Sequence, residues 1–446
     1  MALTLSGTDG VVGAGFTLDA SGASVTAGVG TFGSFADVKV GSGVTISQDG
    51  DVFTTGVTTS STIKVGGGVT ISESGIEASG IGITCANING TSISGRRNLI
   101  INGAMEVAQR GTSSTEQLYQ TVDRMRLARA GTDENPTQAQ LSITTASMTA
   151  LGFRKAFRVV NGNQTSGAGS ADTISMSYRI EARDIRTSGW DYTNPNSFIT
   201  IQFWVYSNVG QTYHMRLKSA DGTQQQYVMS YTLSANTWTK VVKTIPGNSN
   251  IQFDDDVNQG LQINFSMFAG TVYTSSSMTL NSWAAYDVNN QFPDMTSTWY
   301  TTNDATWNIT GLQLEVGPQA TAFEHRSFAE ELHLCKRYYQ QYVNPSINGI
   351  VSGTANRTEN HAFLLPVEMR ASPTLSISNT GNNKGQRIYD GSATKYITSL
   401  LSSGKTASHL SISYNLSGDL TNYRPALAIG PLNEDDQTTF KIEAEI

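Results

Sequence analysis

All six tryptophans of the 446-residue chain, Trp190, Trp204, Trp238, Trp283, Trp299 and Trp307, fall between residues 190 and 307. Aromatic rings stack on the apolar faces of sugar rings, while planar amide, carboxylate and guanidinium groups fork onto hydroxyl pairs. Exposed Trp or Tyr beside Asn, Gln, Asp or Arg is therefore the chemistry of glycan binding. Trp190 and Tyr192 fit that description in SGWDYTNPN, a loop-forming stretch in which a two-residue spacing aims both rings the same way. Tyr389, Asp390, Tyr396, Tyr414 and Tyr423 form a second set, spread among Asn, Ser and Gly near the end of the chain. Trp204 and Trp238 sit in strand patterns and read as core.

Other chemistries find less support. Asp254, Asp255 and Asp256, with Asn258 nearby, are hard oxygen ligands at high density, but their spacing matches no calcium loop and a solvated loop is the plainer reading. A glycosidase needs two facing carboxylates. Glu330 and Glu331 are sequence neighbours on a helix and cannot share a substrate, whereas Asp184, Asp191, Asp294 and Asp304 could pair only if the fold brings them together. No G-x-S-x-G elbow is present. Cys85 and Cys335 are far apart and read as buried thiols. With 15% charged residues, a net charge of −7 and no Lys/Arg run, the chain lacks the basic footprint of a nucleic-acid binder.

The elements that position these residues are mostly strands. Residues 1–95 are rich in Gly, Ser, Thr and Val, and VKVGSGVTIS (Val38–Ser47) recurs as IKVGGGVTIS (Ile63–Ser72). Such short strands bury no core alone, so they must stack or meet copies from other chains, most simply three around an axis. A flexible linker is the alternative. The opening MALTLSGTDG has neither a basic nor an apolar targeting segment, and no run of residues is apolar enough to span a membrane. Synthesis in a cytoplasm without a secretion signal is expected.

Residues 96–326 carry strand signals at short intervals. In TYHMRLK, Tyr213, Met215 and Leu217 share one face and His214, Arg216 and Lys218 the other, and Asp221–Gly222 marks a hairpin. Many strands at this spacing predict a sandwich or jelly roll. Ser327 and Glu330 have capping-box spacing, and Phe328, Leu332, Cys335, Tyr339 and Tyr342 recur at helical intervals, predicting a linking helix over 327–343. Its stripe could pack on the sandwich or on copies of itself about an axis. Residues 344–446 again read as strands and predict a C-terminal β-sandwich tip.

RRNLIINGAMEVAQRGTS (Arg96–Ser113), VDRMRL (Val122–Leu127) and ITGLQLEVGPQATAFEHRSFAEELHLCKRYYQ (Ile309–Gln340) together resemble a module of tail-fibre and receptor-binding proteins from tailed bacteriophages, above all those of marine bacteria and cyanobacteria. NLIINGAME is similar to the start of jelly-roll carbohydrate-binding modules, and LLPVEMRASPTL (Leu364–Leu375) to a pattern in fibre tips. The resemblance implies a non-enzymatic homotrimeric virion fibre, held to other tail or adaptor proteins through its N-terminus and adsorbing to a host surface polysaccharide. It also implies a structural calcium site near the first strand, to which Glu106 would contribute. A long virion-anchoring domain, common in large fibres, is not recognisable here. The rival readings are a tailspike-type glycan depolymerase and a purely structural decoration or adaptor protein. Of the two aromatic sets, the tip is expected to meet the cell first.

Overall fold

In this computed structural model, residues 97–446 are described except 355, 382–383 and 432–435, and residues 1–96 are described only as the backbone of short strands. Contacts divide the chain into Met1–Cys85 and Ala86–Ile446. In the first unit, each copy of the repeat makes the same antiparallel three-stranded meander. One joins Val38–Val40, Val44–Ile46 and Val52–Thr54, the other Thr62–Val65, Val69–Ser72 and Gly75–Ala78. Trimer packing and attachment through this block lie outside the described residues.

The second unit holds a two-sheet sandwich. Its strands are β1 (Ser113–Ser114), β2 (Arg126–Ala130), β3 (Thr137–Ser142), β4 (Lys155–Val160), β5 (Thr173–Glu181) and β6 (Phe198–Ser207). They continue with β7 (Thr212–Ser219), β8 (Gln225–Thr232), β9 (Thr239–Pro246), β10 (Gln259–Ala269), β11 (Trp283–Ala285) and β12 (Thr306–Val316). The first sheet has the order β1-β3-β4-β12-β6-β9 and the second β2-β5-β10-β7-β8-β11, antiparallel throughout. Period-two alternation turns Ile199, Ile201, Phe203 and Val205 of β6 inward against Tyr213, Met215 and Leu217 of β7 in one core. All seven are fully buried, and burying each contributes about 1.5–3 kcal/mol.

The linking helix, α4 in chain order after α1 (Ala146–Ala150), α2 (Ala182–Arg186) and α3 (Thr298–Thr301), runs only over Phe328–Cys335. The Ser327 hydroxyl accepts the Glu330 N–H at 3.2 Å, as the capping pattern predicts. The apolar stripe does not continue: Tyr339 and Tyr342 lie in a strand, β13 (Tyr339–Val343), and Phe328 faces solvent. β-Favouring Tyr and Val in YYQQYV override the helical spacing. Glu331 and Cys335 form the buried face instead, so the helix packs on its own sandwich.

The two ends of the resembling module meet in space. Asn98 Oδ1 accepts the N–H groups of Ile100 and Leu314, each at 3.0 Å, and its amide donates to Leu312 O. Asn102, in the left-handed region at φ 62°, is held by Glu331, whose carboxylate accepts its N–H at 2.7 Å. A motif split between residues 98 and 331 is thus one structural clamp.

The C-terminal residues form β13, β14 (Asn348–Val351), β15 (Arg357–Leu364), β16 (Thr374–Ile377), β17 (Arg387–Tyr389), β18 (Thr394–Lys405), β19 (His409–Leu416), β20 (Pro425–Ile429) and β21 (Thr439–Glu443). Rather than two facing sheets, β14-β15-β19-β18-β17-β20 close into a barrel, with β13-β21-β16 beside it. Closure leaves no open edge. The sheet beside the barrel is tied to the sandwich by charge: Glu445, just past β21, pairs with Arg124 at 2.5 Å and Arg110 at 3.1 Å, and Arg337, just before β13, with the buried Glu181 at 2.8 Å. Among the described residues, no helix is long and apolar enough to cross a membrane.

Candidate functional site

Strand β6 carries aromatic residues on both faces. Trp204 and Tyr206 have the parity opposite to Ile199–Val205 and point away from the core, onto the outer face of the first sheet. Both are half-buried, as is Trp238 just before β9. Tyr206 and Trp238 pack with ring centroids 5.6 Å apart, tilted by 45°. Trp204 and Trp238, expected in the core, lie outside the inter-sheet core and pack half-buried against a smaller cluster of Ile143, Met148, Phe153 and Ala156; alternation from the inward Ile and Phe residues puts Trp204 on that outer face.

Register builds a row across this face. Arg158 of β4 stands opposite Asn308 of β12, and Asn308 opposite Tyr206 of β6, with Trp238 beyond. Adjacent strands lie about 4.8 Å apart, so the row spans about 14 Å. It floors an open groove of about 400 Å³, walled also by Ile143, Asn208 and Asp304. Two polar atoms are left over. Asn308 is 3% exposed and its Oδ1 has no partner, and Arg158 Nε has none either. A buried carbonyl without a donor costs about 1–3 kcal/mol, which a ligand hydroxyl would recover. Along the same face, Trp204 lines a neighbouring hollow of about 330 Å³ with Lys240, Phe323 and His325.

A bulge sets Trp204. Pairing of β6 with β12 shifts between Gln202 and Trp204, and the extra residue falls at Gly311, at φ 62°. A Cβ there would lie 2.7 Å from the Phe153 ring and 3.2 Å from Trp204. Only glycine fits this position without strain.

The other candidates fare differently. Trp190 is 3% exposed, its indole donating to Ser197 O, and Tyr192 packs on Phe253 at 4.9 Å. The loop folds onto the core, so Trp190 cannot stack on a sugar. Tyr414 is wholly buried inside the barrel, against His361 and Phe440. Asp390, 4% exposed, is spent on a turn: its carboxylate accepts from Ser392, Ala393 and Thr421, which holds its pKa well below the usual carboxylate range. Tyr389, Tyr396 and Tyr423 remain accessible on the barrel, Tyr423 most of all.

Glu106 faces Lys155, Arg154 and His325 rather than further oxygen ligands, and burial pushes its pKa up. Among the described residues, no cluster of three His, Cys, Asp or Glu side chains could hold a metal ion. The calcium expectation at Glu106 does not fit these surroundings. Asp255 pairs with Arg183 at 2.9 Å, and Asp254 and Asp256 serve local turns. Asp304 is the one carboxylate in the groove lining.

No known family and no curated protein matches the sequence. Solved structures match parts of the chain at low similarity. The enzymatically active domain of tailspike protein 4 of bacteriophage CBA120 matches 49% of this chain at 9% identity and a TM-score of 0.26, and the match spans only 21% of that chain. A sugar-binding protein assigned in Bacteroides thetaiotaomicron matches 49% of this chain and 99% of its own at 11% identity and a TM-score of 0.27. The family 11 carbohydrate-binding module of Clostridium thermocellum, in complex with a mixed-linked tetrasaccharide, matches 48% and 98% at 11% identity and a TM-score of 0.23.

Proposed function

We propose that this chain is a glycan-binding protein, and that the outer face of its first sheet is the binding surface. One observation carries the reading: Tyr206 and Trp238 form an aromatic platform in line with Asn308 and Arg158, whose buried polar atoms lack partners, along an open groove. Rings accept the apolar face of a pyranose while the amide and guanidinium accept or donate to its hydroxyls. An open groove suits an internal stretch of polysaccharide better than a single terminal sugar.

The reading is non-enzymatic. Hydrolysis by paired carboxylates requires a second acid near Asp304, and the groove lining supplies none. The resemblance of the module ends to phage receptor-binding proteins extends the proposal: a homotrimeric virion fibre, attached to tail or adaptor proteins through its N-terminal block, that adsorbs to host surface polysaccharide without entering a membrane. Linked copies raise avidity about 10²–10⁴-fold, so one shallow groove per chain is sufficient. Tyr389, Tyr396 and Tyr423 offer a second, barrel-borne contact. The test is a glycan array probed with the full chain and with Trp238→Ala: polysaccharide binding that disappears in the variant supports the reading, and undiminished binding moves the site to the barrel.

A further inference from the structure

The groove on the outer face of the first sheet has two charged side chains among its described lining residues, Arg158 and Asp304. They are not an ion pair, and they differ in solvation. Asp304 is exposed at a turn with φ 57°, where water and salt screen its charge. Arg158, in β4, is half-buried and its Nε is buried without a partner. Among the described residues its guanidinium makes neither a hydrogen bond nor an ion pair.

Its cross-strand neighbour Asn308 is buried and has an Oδ1 without a donor, yet the two groups do not satisfy each other. Both border the same open groove. A charge partly withdrawn from water needs compensation, and a guanidinium finds it best in a planar anion, onto which it forks with two parallel hydrogen bonds. A second cation stands nearby. Lys240 is opposite Trp204 in the β6–β9 register, lines the neighbouring hollow and forms no ion pair among the described residues. That hollow has no carboxylate in its lining. Glu106, whose charged neighbours are Lys155, Arg154 and His325, lines neither the hollow nor the groove.

We infer that the groove selects acidic polysaccharide, with a uronate carboxylate held by Arg158. The inference rests on the groove being the glycan site and names the class of glycan it takes. Arg158 and Tyr206 stand two strands apart, about 10 Å at about 4.8 Å per strand, so an oligosaccharide lying along the row meets the fork and the aromatic pair at once. Between them Asn308 Oδ1 accepts a sugar hydroxyl. Lys240, being exposed, adds a weaker and salt-sensitive attraction from the hollow.

The test is binding of the full chain to immobilised polygalacturonate, alginate and hyaluronan, each beside its carboxyl-reduced form. At least one acidic polymer is expected to bind about tenfold or more tightly than its reduced form. Arg158→Gln should bring the two forms to within about twofold of each other at an unchanged melting temperature, since the guanidinium has no internal partner to lose. Arg158→Lys keeps the charge and loses the fork, so it should fall between wild type and Arg158→Gln, and it serves where the Gln variant does not fold. Acidic and reduced forms bound alike by the wild type overturn the inference, as does a preference for the acidic form that survives in Arg158→Gln. Binding to reduced polymers alone, lost in Trp238→Ala, also overturns it while leaving the groove as the glycan site. No binding to any polymer, acidic or reduced, overturns both.

Discussion

The two sheets of the sandwich bury alike inner faces and use their outer faces in opposite ways. The first sheet leaves Tyr206 and Trp238 half-buried along a groove and Trp204 half-buried in the neighbouring hollow. The second hides His214, Arg216 and Asn264 beneath a strap, and its Arg179 donates to Ile446 O at 2.6 Å. Alternation alone makes both outer faces look solvent-facing. What separates them is long-range cover: residues 270–297 and the C-terminal residues on one side, and only the 141–153 and 321–325 segments along part of the other. An open aromatic face is built to exchange partners, whereas a covered polar face must satisfy its charges internally.

The largest expected effect breaks the covered side. Glu445→Ala leaves Arg124, 1% exposed, without its carboxylate, and the loss should be about 3–5 kcal/mol, read as a fall in the urea midpoint. The same contact means that deleting residues 344–446 would remove Glu445 from the sandwich along with the barrel and destabilise it by a similar amount. Tip and sandwich must therefore be separated by point substitution.

Acid should act next. Burial pushes His214 and the barrel's His361 down to about 4 from an ordinary 6.5. Both are neutral when folded, so the unfolded chain binds more protons between those values. Their contribution is complete above pH 6.5 and is lost as pH falls towards 4, with about 3 kcal/mol per histidine as an upper bound. Chemical denaturation at pH 7, 5.5 and 4.5 checks this. His361→Gln should flatten the slope, and a slope unchanged by it would contradict the assignment.

On the open side, Gly311→Ala forces a Cβ against Phe153 and into the left-handed region. It should cost about 1–3 kcal/mol of stability and displace Trp204, weakening glycan binding together with melting temperature. The smallest effect is Ser327→Ala, which removes a helix cap worth about 1 kcal/mol and should leave both outer faces as they are.

Local signals were legible in the sequence. The repeat, the Asp221–Gly222 turn, the inward Tyr213–Met215–Leu217 face and the Ser327 cap all depend on a few neighbouring residues. The same strand shows where that stops: His214 and Arg216 point outward as expected, but a strap about 75 residues later in the chain buries them. Trp190 reads as an exposed loop residue until Phe253 closes over it. Tyr414 reads as a tip aromatic, but its alternation places it inside a barrel whose closure no local pattern announces. Trp204 differs, because its parity against Ile199 and Phe203 places it on the outer face, where the cluster around Phe153 and not the inter-sheet core receives it.

Whether the open face binds sugar decides the function. Its most direct test is the affinity of the full chain for the polysaccharide selected by the array, measured for the wild type, Tyr206→Ala and Trp238→Ala with melting curves alongside. We predict a loss of about 2 kcal/mol, roughly 30-fold, for Trp238→Ala at little change in stability. Affinities within twofold of wild type in both variants would contradict the groove as the binding site.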